Sequence, residues 1–313
     1  MIKVFINGGE GTTGLKLSER LQKRGGVQFL NIPDADRKNP NVVKKYINDS
    51  DVAFFCLPDA AAEEAAALVE NPDVRIIDAS TAHRTADGWT YGFPELGADF
   101  RNGIKNGKRT SVPGCHASGF IALVYPLIKS GIMPPSYPVV CNSLTGYSGG
   151  GKSMIKTYET QPTPDLASPR IYGISQTHKH LKEMQTIAGL DFPPLFTPVV
   201  SDFYSGMAVT VPLYSRLLNG TPSARDIHAV LNGFYSGQRM VSVADFENGL
   251  FKDGFIASNS LAFSDKMLLN ISGGSERILL TAVFDNLGKG ASGAAVQCMN
   301  IMFGDEEDLG LQI

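Results

Sequence analysis

The stretch IKVFINGGEGTTG, residues 2–14, decides the fold of the first part of the chain. A short apolar run is followed directly by a glycine-rich turn, and leucines then recur at helical spacing in GLKLSERLQKRG (14–25). The turn matches G-x-G-x-x-G between a strand and a helix, which is the context that the dinucleotide-binding fingerprint requires. Its glycines let the backbone approach a pyrophosphate, whose charge the N–H groups at the helix start hold. The candidate cofactor-binding residues of this turn are Gly9, Gly11, Thr12, Thr13 and Gly14.

Strand and helix patterns alternate through the first 115 residues. Strands are predicted at 27–32, 51–58 and 74–80, and helices at 42–47 and 60–70. This rhythm is typical of an α/β protein, because each helix crosses over to return the chain to a parallel strand. The sequence therefore predicts a doubly wound parallel (Rossmann) sheet with helices on both faces.

The character of the sequence changes after residue 116. An apolar helix is predicted at 120–131, and strand-like runs occur at 206–214 and 277–287 among Pro- and Gly-rich connections. Strands separated by few helices predict an α+β substrate and dimerisation domain with a mixed or antiparallel sheet. The predicted domains are a dinucleotide-binding Rossmann domain, 1–115, completed by a C-terminal helix, 288–313, and a catalytic and substrate domain, 116–287.

Composition excludes several classes of function. A formal net charge of −3, from 28 Lys and Arg against 31 Asp and Glu, gives no basic field that would bind nucleic acid or an anionic membrane. The first apolar run is too short for a signal peptide, and the sequence has no run of about 18 apolar residues. Four cysteines without a C-x-x-C pair resemble neither a disulfide framework nor a zinc site. We therefore predict a cytoplasmic protein without a bound metal.

Three residues bear on the choice of dinucleotide. Asp34 stands about 20 residues beyond the glycine turn, where the fingerprint places the acid that binds the ribose 2′-hydroxyl of NAD. Arg37 and Lys38 follow, and their charges suit the 2′-phosphate of NADP instead. The sequence favours NADP(H). The alternatives are Asp34 as the ribose contact and a solvated Arg37–Lys38 charge pair.

SVPGCHASGF (111–120) contains the strongest candidate nucleophile. Cys115 follows Pro-Gly at the start of the predicted apolar helix, where the helix dipole and free N–H groups stabilise a thiolate. The other three cysteines are predicted to be small buried hydrophobes. His178 and His180 stand two residues apart and face one way if the segment is extended, so either is a candidate base. A metal site lacks further ligands at usable spacing, and a plain surface pair is the other alternative.

GYSGGGKS (146–153) fits the phosphate-binding loop pattern G-x-x-x-x-G-K-[ST] residue for residue. The apolar run before it and the helical run after it make that context available. However, a dinucleotide fingerprint already occupies the first strand, and no apolar strand ending in a magnesium-binding acid follows closely. We therefore predict that the match to the triphosphatase pattern is coincidental.

Together, these motifs resemble one family, the N-acetyl-gamma-glutamyl-phosphate reductases, and in particular the shorter of its two types. The resemblance runs nearly end to end, through GGEGTTG (8–14), DASTAHRTADGWTYGFPEL (78–96), VPGCHASG (112–119), GYSGGGKS (146–153), HKH (178–180) and DNLGKGASGAAVQ (285–297). It implies an NADP-dependent reductive dephosphorylation of N-acetyl-gamma-glutamyl phosphate to N-acetylglutamate semialdehyde in arginine biosynthesis, through a cysteine thioester. It also implies an acyl phosphate and inorganic phosphate as small-molecule partners, and a homo-oligomer, dimer or tetramer.

The resemblance assigns site residues as well. Cys115 is implied as the nucleophile and His178 or His180 as the acid/base. Many relatives carry Tyr where this chain has His116, so the role of His116 stays open. The remaining implied residues are Ser80, Gly149, Gly150 and Asn286 for the cofactor, and Arg84, Ser148, Gly149 and Lys152 for the substrate.

Three alternatives to this function remain. An aspartate-semialdehyde dehydrogenase and a reductase of the one-carbon-longer amino-adipyl phosphate use the same chemistry, and one methylene in a pocket changes the binding free energy by only about 1–3 kcal/mol. A non-catalytic dinucleotide-binding sensor is the third alternative. A sensor of that kind is expected to have lost the nucleophile, whereas Cys115 is present.

Overall fold

The computed structural model describes residues 1–249 and 253–313. The chain divides into two compact units, Met1–Pro113 with Ala291–Leu311, and Gly114–Gly290 with Gln312–Ile313. The first unit ends two residues before the predicted boundary at 115. The reason is that the helix carrying Cys115 begins at that residue and lies wholly in the second unit.

A parallel sheet forms the centre of the first unit. Its strands are β1 (Ile2–Asn7), β2 (Val27–Phe29), β3 (Val52–Phe55), β4 (Arg75–Asp78), β5 (Thr90–Tyr91) and β6 (Arg109–Ser111). They lie in the order β2-β1-β3-β4-β6-β5, and each neighbouring pair is parallel. The predicted Rossmann sheet is confirmed.

Each face of this sheet has its own core. In β3, Val52 and Phe54 pack into one apolar cluster and Ala53 and Phe55 into the other, because successive side chains of a strand point to opposite faces. The helices that supply the rest of these cores before residue 113 are α1 (Thr12–Arg24), α2 (Pro40–Asp49), α3 (Asp59–Ala67) and α4 (Ala98–Asn106). Burial on both faces explains why these strands read as continuous apolar runs.

The second unit is built on a mixed sheet. Its strands are β7 (Val140–Gly146), β8 (Arg170–Ile171), β9 (Leu195–Ser201), β10 (Met207–Tyr214), β11 (Val241–Val243), β12 (Met267–Gly273) and β13 (Arg277–Phe284). The order is β11-β12-β13-β10-β7-β9-β8, with β7·β9 and β11·β12 parallel and the other pairs antiparallel. The mixed sheet predicted for this half is therefore also confirmed.

Five helices of the described residues belong to the second unit. They are α5 (Cys115–Lys129), α6 (Gly151–Thr160), α7 (Pro164–Ala167), α8 (Leu181–Ala188) and α9 (Ala224–Phe234). The apolar helix predicted at 120–131 begins five residues earlier, at Cys115, because the small residues Ala117, Ser118 and Gly119 pack tightly enough to be buried in its first turns. This start places Cys115 in the first turn of α5 rather than ahead of it.

The chain returns to the first unit through α10 (Gly293–Phe303), which a π-helical turn at Gly288–Ser292 precedes. The C-terminal helix, predicted as 288–313, spans only Gly293–Phe303, and it ends there because Gly304 takes a left-handed conformation. Arg24 Nε on α1 donates a hydrogen bond to Asn300 Oδ1 at 2.6 Å, which fixes α10 in place. In the described part of the chain, no helix combines the length and apolarity that crossing a bilayer requires.

Candidate active site

The glycine turn of the first unit connects β1 to α1 and packs closely on itself. A Cβ on Gly14 would lie 2.6 Å from the carbonyl oxygen of Gly8 and 2.7 Å from the Cα of Gly9, so only glycine fits there. A Cβ added to Gly9 or Gly11 would meet no atom closer than 3.5 Å, so there is space for a ligand beside these two residues. Thr12 Oγ1, in the first turn of α1, is buried without a hydrogen-bond partner among the described residues. An open turn with an unused hydroxyl and helix N–H groups suits a pyrophosphate.

A cavity of about 700 Å³ in the first unit begins at this turn. Glu10, Asp34 and Arg37 line one side of it. The Arg37 guanidinium pairs with Glu10, and it also pairs with Asp34 at 2.6 Å. The hydrogen bond to Glu10 is the main cause of a raised pKa for Arg37. Lys38 is exposed on the following turn. Both Asp34 and Arg37 thus line the cavity that begins at the glycine turn, and their roles towards a cofactor stay predictions.

Cys115 is the first residue of α5, with the extended residue Gly114 as the N-cap. Gly114 accepts hydrogen bonds at its carbonyl oxygen from the N–H and the Oγ–H of Ser118, at 2.8 and 3.0 Å, which closes the first turn. The Cys115 side chain is partly exposed. Burial raises the pKa of Cys56 to about 12 and raises the pKa of Cys141 as well, so both stay thiols. The position of Cys115 favours the thiolate, because helix N–H groups and the helix dipole stabilise an anion there.

Three histidines of the second unit lie together. The ring of His116 is centred 5.5 Å from that of His178 and 5.6 Å from that of His180, and the rings of His178 and His180 are 4.7 Å apart. The segment that carries His178 and His180 is not extended, in contrast to the conformation considered from the sequence. It turns into α8, because the N–H of His180 donates to His178 Nδ1 at 3.2 Å and His180 takes a helical conformation. Both imidazoles nevertheless face His116.

His116 is 2% exposed, and both of its ring nitrogens are in hydrogen bonds. Nδ1 lies 2.7 Å from Ser143 Oγ, and Nε2 lies 2.6 Å from the hydroxyl oxygen of Tyr172. Burial, and secondarily the charge of His178, lowers the pKa of His116 to about 3. His116 is therefore neutral at physiological pH and holds Tyr172 in place. Burial also raises the pKa of Tyr172, and the nearby charge of Cys115 adds to that shift.

The chain after β13 lies directly against Cys115, the predicted nucleophile. A Cβ on Gly290 would come within 3.1 Å of the Cys115 Cβ, 3.1 Å of the Asp285 carbonyl oxygen and 3.2 Å of the Phe284 ring. Asp285 and Asn286 anchor this region to the loop at 203–206. Asp285 accepts from the side chain of Ser205, and Asn286 Oδ1 accepts from the N–H of Gly206 at 2.9 Å. The DNLGKG motif thus packs a glycine beside Cys115.

The GYSGGGKS segment does have a strand before it and a helix after it, as a phosphate-binding loop requires. However, its first N–H groups are not free to hold phosphate. Those of Gly146, Tyr147 and Ser148 donate to carbonyl oxygens of Gly206, Phe203 and Tyr204, at 2.9 to 3.0 Å. A nest for phosphate needs successive N–H groups that converge on the ligand. Three N–H groups of the segment are therefore used within the second unit and are not available to a ligand.

The other predicted residues of this segment lie near Asn286. Asn286 Nδ2 donates to Ser148 Oγ at 3.0 Å, and a Cβ on Gly149 would lie 3.3 Å from the same nitrogen. Lys152 is exposed at the start of α6, which Gly150 precedes as the N-cap. The structure therefore brings Ser148, Gly149 and Asn286 together. Their assignments to substrate or cofactor stay predictions.

Two predicted residues lie in the first unit, after β4. Ser80 donates its N–H and its hydroxyl to the buried Asp78, at 2.9 and 2.6 Å, and His83 Nδ1 contacts the same carboxylate at 2.7 Å. Arg84 is buried, and its guanidinium donates to the carbonyl oxygens of Val112 and Ala79. Contacts with main-chain carbonyls give Arg84 a structural role beside its predicted role in phosphate recognition.

Several residues near the site were not identified from the sequence. Ser143, Tyr172 and Glu183 gave no local signal, since their importance comes from contacts made by distant parts of the chain. Arg170 was also not identified from the sequence. Its Nη2 donates to the hydroxyl of Tyr158 at 2.9 Å, while its Nε is buried with no partner among the described residues. Among residues 1–249 and 253–313, no group of three or more His, Cys, Asp or Glu side chains is arranged to hold a metal.

Comparison with known families and proteins identifies close relatives. Residues 33–103 match the model of a semialdehyde dehydrogenase NAD binding domain, and residues 115–286 match that of a semialdehyde dehydrogenase dimerisation domain. The chain is 44% identical over 318 residues to the N-acetyl-gamma-glutamyl-phosphate reductase of Trichormus variabilis, covering 99% of both. It is 44% identical to the enzyme of that name from Brucella anthropi, covering 96% of this chain and 98% of the relative.

The fold also matches solved structures of lower sequence identity. Aspartate semialdehyde dehydrogenase II of Vibrio cholerae superposes with a TM-score of 0.70 at 17% identity, covering 97% of this chain and 99% of that one. The aspartate semialdehyde dehydrogenase of Francisella tularensis gives 0.70 at 16% identity, covering 97% of this chain and all of that one. At such identities the likeness concerns the fold only.

Proposed function

Because this chain belongs to the N-acetyl-gamma-glutamyl-phosphate reductase family of the semialdehyde dehydrogenases, we propose that Cys115 acts as the covalent nucleophile of its reaction. The chain is an NAD(P)-dependent reductase of N-acetyl-gamma-glutamyl phosphate in arginine biosynthesis. The position of Cys115 in the first turn of α5 carries the proposal about its role. Cys115 directly precedes His116, whose ring lies near those of His178 and His180.

The first half of the reaction is an acyl transfer. The Cys115 thiolate attacks the acyl carbon, the carbon–oxygen bond to phosphate breaks, and inorganic phosphate leaves with the bonding electrons. A thioester remains on Cys115, so one difficult step becomes two easier ones. N–H groups in the first turn of α5 stabilise the oxyanion that develops during the attack.

The second half regenerates the thiol. The nicotinamide, when bound, supplies the hydride that reduces the thioester carbon. His178 and His180 manage the protons as the resulting thiohemiacetal on Cys115 releases the semialdehyde. His178 Nδ1 accepts a hydrogen bond from the N–H of His180, which leaves the proton of the neutral imidazole on Nε2. His116, with its low pKa, is not part of this exchange.

The residues of the glycine turn fit the pyrophosphate, and we propose NADP(H) as the preferred cofactor. Arg37, with Lys38 beside it in sequence, would hold the 2′-phosphate on the cavity side that it lines. Glu10 and Asp34 already pair with Arg37, so a bound phosphate competes with two carboxylates for one guanidinium. For the substrate, Arg170 joins Arg84, Ser148 and Lys152 as a candidate, because its Nε has an unused N–H.

We also propose that two copies of the chain associate through the open face of the second sheet. Leu195, Tyr214 and Leu279 are on strands of this face and are 58%, 48% and 39% exposed. Large apolar side chains exposed on neighbouring strands are typical of a protein interface. Light scattering tests this association, and a monomer at micromolar concentration would contradict it.

We also propose a cytoplasmic location. The proposal is based on the four cysteines, which are all free thiols in the structure, as a reducing compartment would keep them.

The test of the function compares substrates and a nucleophile variant. NADPH oxidation is measured with N-acetyl-gamma-glutamyl phosphate, aspartyl phosphate and amino-adipyl phosphate side by side, and the first should give the highest kcat/KM. Cys115→Ala should lose at least about 1,000-fold in kcat, because removing a catalytic nucleophile costs on the order of 10⁶ in a serine protease, while its Kd for NADPH changes by no more than a few-fold. Turnover above a few per cent in that variant would show that no thioester forms.

A further inference from the structure

Glu183 connects the two segments that carry the reacting groups. It is the third residue of α8, and only 2% of its surface is exposed. Its Oε1 accepts a hydrogen bond from the N–H of Gly114 at 2.8 Å. Gly114 is the N-cap of α5 and directly precedes Cys115, while α8 begins directly after His180. One carboxylate thus joins the nucleophile turn to the histidine segment.

An acid at the third position of a helix usually serves its own helix. Helix α9 shows this use, since Asp226 accepts from the N–H of Ser223 at 2.8 Å and Ser223 Oγ accepts from the N–H of Asp226, forming a capping box. In α8 the N-cap is His180, whose side chain makes no capping hydrogen bond. The Oε1 of Glu183 reaches across to another helix instead.

We propose that Glu183 is a positioning residue that holds the N–H of Gly114, the residue directly before Cys115, and with it keeps the thiol at a fixed distance from His178 and His180. The proposal rests on the function proposed above for Cys115. An N–H buried without an acceptor is strongly unfavourable, so losing Glu183 would turn the Gly114 peptide towards another partner. Covalent catalysis depends on placing the nucleophile accurately, and a misplacement of about 1 Å lowers the rate about 100-fold.

The hydrogen bond requires an acceptor oxygen at the right reach and does not require a charge. Glutamine has the same length and an amide oxygen, so Glu183→Gln should keep the peptide in place. Aspartate keeps the charge but is one methylene shorter, so Glu183→Asp should not reach Gly114. The order of activities, Gln above Asp, therefore separates positioning from a role for the negative charge.

The experiment measures kcat, the KM of the acyl phosphate, the Kd of NADPH and the melting temperature of Glu183→Gln, Glu183→Asp and Glu183→Ala. Asp226→Ala is the matched control, because it removes an acid at the same helical position that serves only its own helix. We expect Glu183→Gln to keep kcat within five-fold, and Glu183→Asp and Glu183→Ala to lose 30-fold or more. The Kd of NADPH should not change, and Asp226→Ala should lower the melting temperature without lowering kcat.

Three results would overturn the proposal. The first is a folded Glu183→Ala that keeps kcat within three-fold of the natural chain. The second is Glu183→Asp as active as Glu183→Gln or more active, which remains decisive if the Ala variant does not fold. The third is a loss of kcat in Asp226→Ala as large as that in Glu183→Ala. Activity in Cys115→Ala would instead refute the proposed nucleophile, so the two failures are distinguishable.

Discussion

Replacing Gly290 by alanine should displace the nucleophile by a small, calculable amount. The added Cβ meets the Cys115 Cβ at 3.1 Å, the Asp285 carbonyl oxygen at 3.1 Å and the Phe284 ring at 3.2 Å. Ordinary contacts begin near 3.4 Å, so the neighbours must move by a few tenths of an ångström. Phe284 is fully buried whereas Cys115 is partly exposed, so we expect Cys115 to be the neighbour that moves. Overpacking of this kind costs about 1–3 kcal/mol of folding stability.

The kinetic effect follows from the same displacement. If a 1 Å misplacement costs about 100-fold, then a shift of about 0.3 Å costs about 4-fold in kcat, or ~0.8 kcal/mol of activation free energy. NADPH oxidation under saturating acyl phosphate measures kcat, and urea unfolding measures stability. The control is Gly233→Ala on α9, whose Cβ meets nothing within 4 Å and which should gain about 0.4–1 kcal/mol. A Gly290→Ala enzyme with unchanged kcat and stability would refute the reasoning.

Four further predictions concern other parts of the molecule. Neutral replacement of both Arg37 and Lys38 should reduce the ratio of kcat/KM for NADPH over NADH at least ten-fold, and equal use of the two cofactors by the natural chain would point to Asp34 instead. Gly151→Val should lower the rate of reduction with the fold intact, because Gly151 has a φ of 76°, which valine rarely adopts. Mg-ATP should not raise the melting temperature of the natural chain, and a rise would restore the triphosphatase hypothesis. Arg170→Met should raise the KM of the acyl phosphate about 10- to 100-fold, the effect of one charged hydrogen bond, and an unchanged KM would exclude it from substrate binding. Because burial lowers the pKa of His116 from 6.5 to about 3, its contribution to stability is complete above pH 6.5 and is lost as the pH falls towards 3. Between pH 7.5 and 5 the free energy of unfolding should fall by about 2 kcal/mol. His116→Gln should show a flatter dependence of the free energy of unfolding on pH, and an unchanged dependence would show that another group is responsible.

The sequence was informative wherever a local pattern has only one structural outcome. The alternation of strands and helices predicted the parallel sheet, because both of its faces are covered and its strands read as apolar runs. Cys115 could be singled out because the glycine before it and the apolar helix after it are neighbours in sequence. The ends of elements were less accurate, as in the apolar helix that begins at Cys115 rather than at 120, since burial of small residues depends on their neighbours in space.

The surroundings of Cys115 could not be predicted in this way. Tyr172 reaches His116 across 56 residues and Glu183 reaches Gly114 across 69, and neither spacing leaves a periodic signal. The segment at 146–153 shows the converse case, in which a sequence pattern is present without the hydrogen bonding that it suggests. Its residues match the triphosphatase pattern, while the N–H groups of Gly146 to Ser148 donate to the loop at 203–206. A motif specifies residue types, but hydrogen-bond partners depend on the tertiary fold.

Because the first unit is built from two separate segments of the chain, it cannot complete its folding until the second segment has been synthesised. Residues 1–113 emerge early, but α10, which is buried along nearly its whole length, emerges only after all of 114–290. At a synthesis rate of roughly 5–20 residues per second, that interval is on the order of 10 to 30 s. Throughout it Val4, Ile104 and Val112, which pack in the same cluster as α10, lack their last neighbours. We expect a nascent chain that exposes this apolar surface to bind chaperones. A chain truncated after residue 290 should be insoluble, although it contains every strand of the second sheet.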